Sequence, residues 1–380
     1  MGIRDIIGHE RIINILSGYI KRGRLPHALL FAGDDGIGKR LTAINLAKVL
    51  NCTTNRNTPN GLFHTVTSPP GTVTSPPGTV TSTPGYEIDS CDECPSCKKI
   101  DKLMHPELLI PPKEEKDLEV KGFFMSHPDV FFITSYGGEI RVNVIRSLQE
   151  YLSSKPFEGR WKVAIVDDAH TLNEHSANAF LETLEEPPTY SIIILITSRP
   201  DMLLETIRSR CQRLNFSPLS INSMLKVLSE RFERIDRKTL LLLCELSGGR
   251  IGYALNEDLL KERNRMFGIF LEMFGNPEKD LWKDREEMER WFESCELWFR
   301  DMAVLKATND PGLLINRDLK ERLEELSKGF ELQDILNLYR EFYNIKRALA
   351  FNLNRPITLY YINLLLRHGQ RGGDWKISNG

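Results

Sequence analysis

Three groups of residues in this 380-residue chain have types and spacings suited to chemistry. The first is Gly33-Asp34-Asp35-Gly36-Ile37-Gly38-Lys39-Arg40. Glycines at this spacing let successive backbone N–H groups turn inward around a phosphate, and a lysine at position 39 would reach the β- and γ-phosphates of a nucleotide. The second is the pair Asp167-Asp168, which ends the apolar run Val163 to Val166. An apolar strand ending in acid is how a phosphate-binding site holds magnesium and polarises water beside a γ-phosphate. The third is Cys91-x-x-Cys94-x-x-Cys97. That spacing brings three thiolates round one ion, and Cys52 is the natural fourth ligand of a tetrahedral zinc site, with His64 and His105 ranked below it. A closed set of four thiolates leaves no position for water, so such a zinc would be structural.

These groups need elements to position them. Ala28 to Ala32 is a short apolar run that enters the glycine loop directly, and a helix is expected from Leu41 to Leu50. Strand, glycine loop and helix is the context that a phosphate cradle requires, with the helix N-terminus adding partial positive charge. Cys52 then ends that helix. After Asp168, Ala177, Phe180, Leu181 and Leu184 mark a helix that must stop at Pro187-Pro188. A second apolar run, Ile192 to Ile196, ends in Thr197-Ser198. Strand, helix and strand in this order imply a parallel sheet whose ligands sit at the carboxyl ends of its strands. His127-Pro128-Asp129 looks like a turn feeding a strand over 130–133, and Ile140 to Tyr151 has an amphipathic pattern. Leu214 to Phe216 is a further short strand. Beyond Pro218 the pattern is helical, from Ile221 to Phe232 and Arg237 to Leu246. After the glycine break at 248–252 it is almost wholly helical from Glu262 to about His368.

The intervening segments are of another kind. Residues 65–85 repeat TVTSPPG, TVTSPPG, TVTSTPG; Ser, Pro and Gly at this density exclude a coiled coil and fit a mobile surface loop. The charge run Lys113 to Asp117 is read as solvated. A net charge of −2 argues against a chain that binds nucleic acid over its whole surface. No apolar run approaches the roughly 18 residues of a membrane span, and no signal-peptide pattern opens the sequence, so no membrane contact and a cytoplasmic location are expected. An odd total of seven cysteines suits metal better than a disulfide framework.

The phosphate loop departs from its pattern at one position. The residue after the lysine should be Ser or Thr, whose hydroxyl ligates magnesium, but here it is Arg40. A guanidinium cannot ligate a metal and would repel it. Nucleotide binding is therefore expected to be weak or absent.

Taken together, the GxxxxGK loop, the CxxCxxC insert with Cys52, HPD at His127 to Asp129 and LETLEEPP at Leu181 to Pro188 resemble the clamp-loader subunits of the AAA+ ATPases. So do Ser209-Arg210-Cys211 and the closing NLNRPITLYYINLLL. The resemblance covers nearly the whole chain. It implies an α/β AAA+ P-loop domain over 1–217, containing a zinc module (52–97) and the low-complexity loop (65–85). A small helical lid over 218–261, an all-α collar for oligomerisation over 262–368 and a loose tail over 369–380 would follow. It also implies a heteropentameric ring with gamma/tau and delta subunits of DNA polymerase III, acting on a sliding clamp and primed DNA. Arg210 would be an arginine finger projecting into a neighbour's ATP site. The chain's own degenerate nucleotide set would be Gly33, Gly36, Gly38, Lys39, Arg40, Asp167, Asp168 and Thr197. Against the family pattern, Asp168 stands where an active member has Glu, and Gly252 stands where a sensor arginine is usual. With Arg40, these departures argue for a subunit that does not hydrolyse ATP; the alternative is an active gamma/tau-like motor or a related helicase or loader.

Overall fold

Short runs rich in Ile, Leu and Val, bounded by turn residues, cannot form stable isolated helices and instead pair as fully buried strands. The computed structural model describes residues 2–54, 89–105, 123–135, 138–256, 258–274, 282–349 and 353–369. The 65–85 repeat, the charge run at 113–117, His64 and the tail from 370 lie outside these residues. The chain begins with α1 (Glu10–Lys21), β1 (Ala28–Ala32), α2 (Lys39–Asn51) and α3 (Pro95–Asp101). It continues with β2 (Phe123–His127), β3 (Val130–Ile133), α4 (Val142–Ser153), β4 (Lys162–Val166), α5 (Glu174–Glu185), β5 (Ser191–Thr197), α6 (Glu205–Arg208) and β6 (Gln212–Asn215). Helices follow: α7 (Ile221–Arg231), α8 (Arg237–Ser247), α9 (Ile251–Ala254), α10 (Leu259–Glu272), α11 (Arg285–Thr308), α12 (Lys320–Lys328), α13 (Leu332–Ala348) and α14 (Arg355–Gly369).

The chain divides into two compact units, 1–227 with 249–252, and 228–248 with 253–380. In the first, the strands form one sheet in the order β2-β3-β4-β5-β1-β6. All neighbours run parallel except β2 and β3, which form an antiparallel pair. Side chains alternate across it. Leu29, Phe31, Val163, Ile165, Ile192 and Ile194 face a core shared with α1, α2 and α3. Ala28, Leu30, Ala164, Val166, Ile193 and Leu195 face one shared with α4 and α5. Covering both faces explains why these strands read as continuous apolar runs rather than alternating ones. The mostly parallel sheet is the one expected of an α/β domain.

Two features were not anticipated. The antiparallel strand β2 goes beyond the turn expected at His127, because a five-residue edge strand carries only a short apolar signature. The short helix α3 inside the cysteine module was likewise unforeseen. It starts on Cys94, whose Sγ accepts the Cys97 N–H, with Pro95 at the first helical position.

The second unit is all helical. The 24-residue α11 and α13 centre it, and its core is aromatic: Trp291, Trp298, Phe270, Phe299 and Phe342 are buried and packed in tilted and edge-to-face pairs. A buried carboxylate, Asp301, accepts the N–H groups of Ile315 and Asn316 at 3.1 and 2.8 Å and so fastens the loop that leads to α12. Among the described residues, no helix is long and apolar enough to cross a membrane.

Candidate functional site

Register brings the predicted phosphate-site residues to one sheet edge. Ala32 on β1 pairs with Thr197 on β5, and Val166 on β4 pairs with Leu195 on β5. The loop after β1 and the acids after β4 therefore flank the end of β5, where Thr197 is fully buried. The Gly33 N–H donates to the Thr197 carbonyl at 3.2 Å. Gly33 has φ of 150°, and a Cβ there would lie 2.5 Å from the Phe216 carbonyl oxygen, so both conformation and space require glycine.

The loop's carbonyls are held by donors. Lys39 Nζ donates to the carbonyls of Gly33 and Asp34, each at 2.6 Å. The Gly252 N–H donates to the Gly36 carbonyl at 2.7 Å. His9 Nε2 lies 2.6 Å from the Ile37 carbonyl and must be the donor there, with its ring edge against Phe216. Burial lowers the pKa of His9, which keeps the imidazole neutral. The N–H groups of Gly36, Ile37, Gly38 and Lys39 donate to no described residue. Carbonyls with donors beside successive N–H groups without acceptors leave the loop able to form an anion-binding nest.

Electrostatics on the acid side run against magnesium. Arg40 Nε donates to the Asp167 carboxylate at 2.6 Å, and Nη2 lies 2.5 Å from the same oxygen in an ion pair. Its guanidinium also lies over the Phe132 ring, 5.7 Å from the centroid. Asp167 is buried and so already carries a cationic partner. A divalent ion 4 Å from that guanidinium would meet repulsion of about 4 kcal/mol for each of its charges at the effective dielectric of a protein surface. Asp168 is not equivalent to its neighbour. It adopts φ of 50°, and burial, with Asp167 and Asp35 nearby, pushes its pKa up to about 6. Thr197 Oγ1 accepts the Arg199 N–H at 3.0 Å and lies 3.3 Å from His170 Nδ1. The residues predicted for a nucleotide are thus together, but the magnesium half of the set is closed by Arg40.

The position expected for a sensor arginine is sterically specified. A Cβ on Gly252 would lie 3.0 Å from the Gly36 Cα and 3.1 Å from its carbonyl oxygen. Backbone packs on backbone here.

At the other end of α2, the Sγ atoms of Cys52, Cys91, Cys94 and Cys97 all lie within 4.8 Å of one another. A tetrahedral ion with metal–sulfur bonds of about 2.3 Å sets its sulfurs roughly 3.8 Å apart, so the four can hold a metal ion. The Cys94 N–H points to Cys91 Sγ at 3.3 Å and the Cys97 N–H to Cys94 Sγ at 3.4 Å. Burial would raise the Cys94 thiol, but hydrogen bonds from Thr53 and Cys97 outweigh it and bring Cys94 down to about 6. Lys48, its side chain fully buried, bridges Asp92 at 2.5 Å and Asp101 at 2.9 Å across this module.

The HPD motif links this module to the sheet, a role that sequence reading missed. Ser96, between two of the cysteines, donates to the Asn51 carbonyl at 2.8 Å and meets His127 Nε2 at 2.9 Å. His127 Nδ1 accepts the Asp129 N–H at 3.0 Å, which leaves Nε2 as the protonated nitrogen facing Ser96. The fully buried Asp129 carboxylate accepts three N–H groups, from Phe157, Glu158 and Gly159, at 2.7, 2.7 and 2.6 Å. An acid sharing a turn with histidine just before an apolar strand is the signal that could have pointed to it.

The Ser209-Arg210-Cys211 and LETLEEPP motifs also meet. Arg210 Nη2 donates to Glu185 Oε1 of the LEEPP segment at 2.5 Å, and Nη1 donates to the Thr206 carbonyl at 2.9 Å. The side chain remains 35% exposed at the surface.

Comparison with known proteins shows the family. A family model described as DNA polymerase III, delta subunit, matches residues 8–62 and 80–220. The DNA polymerase III subunit delta' of Bacillus subtilis is 24% identical over 372 residues, covering 94% of this chain and 96% of its own. The subunit gamma of Buchnera aphidicola (subsp. Acyrthosiphon pisum) is 30% identical over 355 residues, covering 92% and 79%. The subunit tau/gamma of Haemophilus influenzae is 33% identical over 215 residues, covering 57% of this chain and 24% of its own. The chain thus spans nearly all of the delta' relative but about a quarter of this tau/gamma relative. With the family model matching more than half of its residues, the chain belongs to the DNA polymerase III delta-subunit family and is a homologue of the delta' subunit of that clamp loader.

Proposed function

We propose that this chain is a non-motor subunit of the clamp loader, one position in a heteropentameric ring with gamma/tau and delta subunits that places a sliding clamp on primed DNA. It does not hydrolyse ATP itself. The observation that carries this reading is the Arg40–Asp167 ion pair, which sets a cation where a motor would hold magnesium. Gly252 against Gly36 supports it, because the contact leaves no room for a sensor side chain. In this reading Arg210, from its surface position beside Glu185, acts in trans on nucleotide bound by the adjacent subunit. Residues 218–261 form the lid and 262–368 the collar. Exposed apolar residues at helical spacing on α13 (Leu336, Tyr339, Tyr343) and on α14 (Ile357, Tyr360, Leu364) suit packing against other subunits. Cys52, Cys91, Cys94 and Cys97 hold a structural zinc, and DNA is contacted through the assembled complex in the cytoplasm.

The test is hydrolysis of Mg-ATP by the purified chain, with Lys39→Ala as control. Absence of turnover is expected. The second step is Arg210→Ala in a ring reconstituted with gamma/tau and delta subunits, where the assembly's ATPase should fall while assembly persists. Turnover by the isolated chain that Lys39→Ala abolishes would instead make it a gamma/tau-like motor.

A further inference from the structure

We propose that the Arg40 guanidinium, bonded to Asp167 at the mouth of the Gly33–Arg40 loop, takes the place of the divalent cation, so that this site receives a nucleoside polyphosphate without magnesium. The inference rests on the reading of the chain as a non-hydrolysing subunit and specifies the ligand of its degenerate site.

Each half of the site contributes to it. On the loop side, the carbonyls of Gly33, Asp34, Gly36 and Ile37 are all committed to donors, while the N–H groups of Gly36 to Lys39 are not. That is the polarity a phosphate requires, and it needs no metal. Two of the three ammonium donors of Lys39 go to loop carbonyls and the third faces the exposed Asp35 carboxylate at 3.6 Å, a water-screened contact that a phosphate oxygen can displace. On the acid side, magnesium ordinarily bridges a hydroxyl, a carboxylate and phosphate oxygens in near-octahedral geometry. Here the hydroxyl is missing and the carboxylate oxygen of Asp167 already accepts the Arg40 Nε–H and pairs with its Nη2. Arginine presents five donors in a fixed fork, so the N–H groups of Arg40 not spent on Asp167 can accept a phosphate in the position where a metal would stand. Asp34 and Asp35 also flank the loop, but both are exposed, so water screens their repulsion. Binding is therefore expected to be modest, and indifferent to magnesium.

The experiment is calorimetric titration of the full chain with ATP and with ADP, in EDTA and again in excess magnesium chloride, with phosphate release followed in parallel. The wild type should bind in EDTA, and magnesium should change its Kd by less than about threefold. Arg40→Ser should bind more weakly in EDTA and gain about tenfold or more when magnesium is added. Arg40→Lys should keep the indifference to metal, and thermal melting establishes that both variants fold. Should Arg40→Ser fail to fold, the wild type and Arg40→Lys still decide the matter. Wild-type binding that magnesium strengthens about tenfold, or no binding in either buffer, overturns the inference while leaving the non-motor reading in place. Turnover by the wild type in magnesium overturns the non-motor reading itself.

Discussion

Helix α2 ends in opposite kinds of electrostatics. At its N-terminus, Lys39 is held by loop carbonyls and Arg40 by Asp167, so charge is matched inside the chain. At its C-terminus, Cys52 joins three other thiols within 4.8 Å, and sulfurs at that spacing cannot all ionise without a cation from outside. One 13-residue helix therefore carries a site that brings its own cation and a site able to hold one from outside. The difference teaches that a decayed nucleotide site need not be a loosened one. Replacing a hydroxyl by a guanidinium leaves the strand edge filled and bonded.

The largest effect is expected at the importing end. Cys97→Ala should remove the bound metal, read as ions per chain by plasma mass spectrometry, and lower stability by more than about 4 kcal/mol. Unchanged metal content and melting temperature would erase the contrast between the two ends. Next comes the bracket that ties this end to the sheet. Asp129→Ala strands three N–H groups and should cost about 3 kcal/mol, with faster hydrogen exchange at 157–159. At the self-matched end, Gly252→Arg should destabilise by about 2 kcal/mol, because the new side chain must displace the backbone of Gly36. Gain of ATP turnover by that variant, without loss of stability, would show the contact to be soft.

The smallest effect is a pH dependence at His9. Its pKa is lower folded than the ordinary 6.5, so its contribution is fully present above that value and is lost as pH falls below it. Denaturant melts from pH 8 to pH 5 should show this slope, and His9→Gln should flatten it. Cysteine variants should leave it unaltered, which would sharpen the separation of the two ends.

Much of this arrangement was legible in residue order. The phosphate loop, the acid strand and the run ending in Thr197 each sat between unmistakable punctuation, and parallel pairing then fixed where their ends meet. Cys52 was identified as the fourth thiol from its place at the end of a helix, and it lies with the other three. What could not be read was anything that depends on two distant segments at once. Arg40 could be seen to lack a hydroxyl, but not to bond Asp167, 127 residues away. Asp129 looked like part of a turn because its three partners lie 28 to 30 residues further on. Nor could the packing of Gly252 on Gly36 be foreseen, since a missing side chain leaves no pattern. Strand β2 escaped because an edge strand has one pairing partner and only a short apolar signature.

The Gly252–Gly36 contact also bears on how such a chain can change over generations. Position 40 can drift between side chains one codon at a time, since its guanidinium is 44% exposed and has room to be exchanged. Position 252 has no such freedom, for any side chain there must first wait for a retreat of the neighbouring backbone. A lineage carrying this contact could regain a hydroxyl after Lys39 by a single substitution, yet a sensor arginine would need a concerted shift of two segments. The contact acts as a ratchet, and reversal is the harder direction.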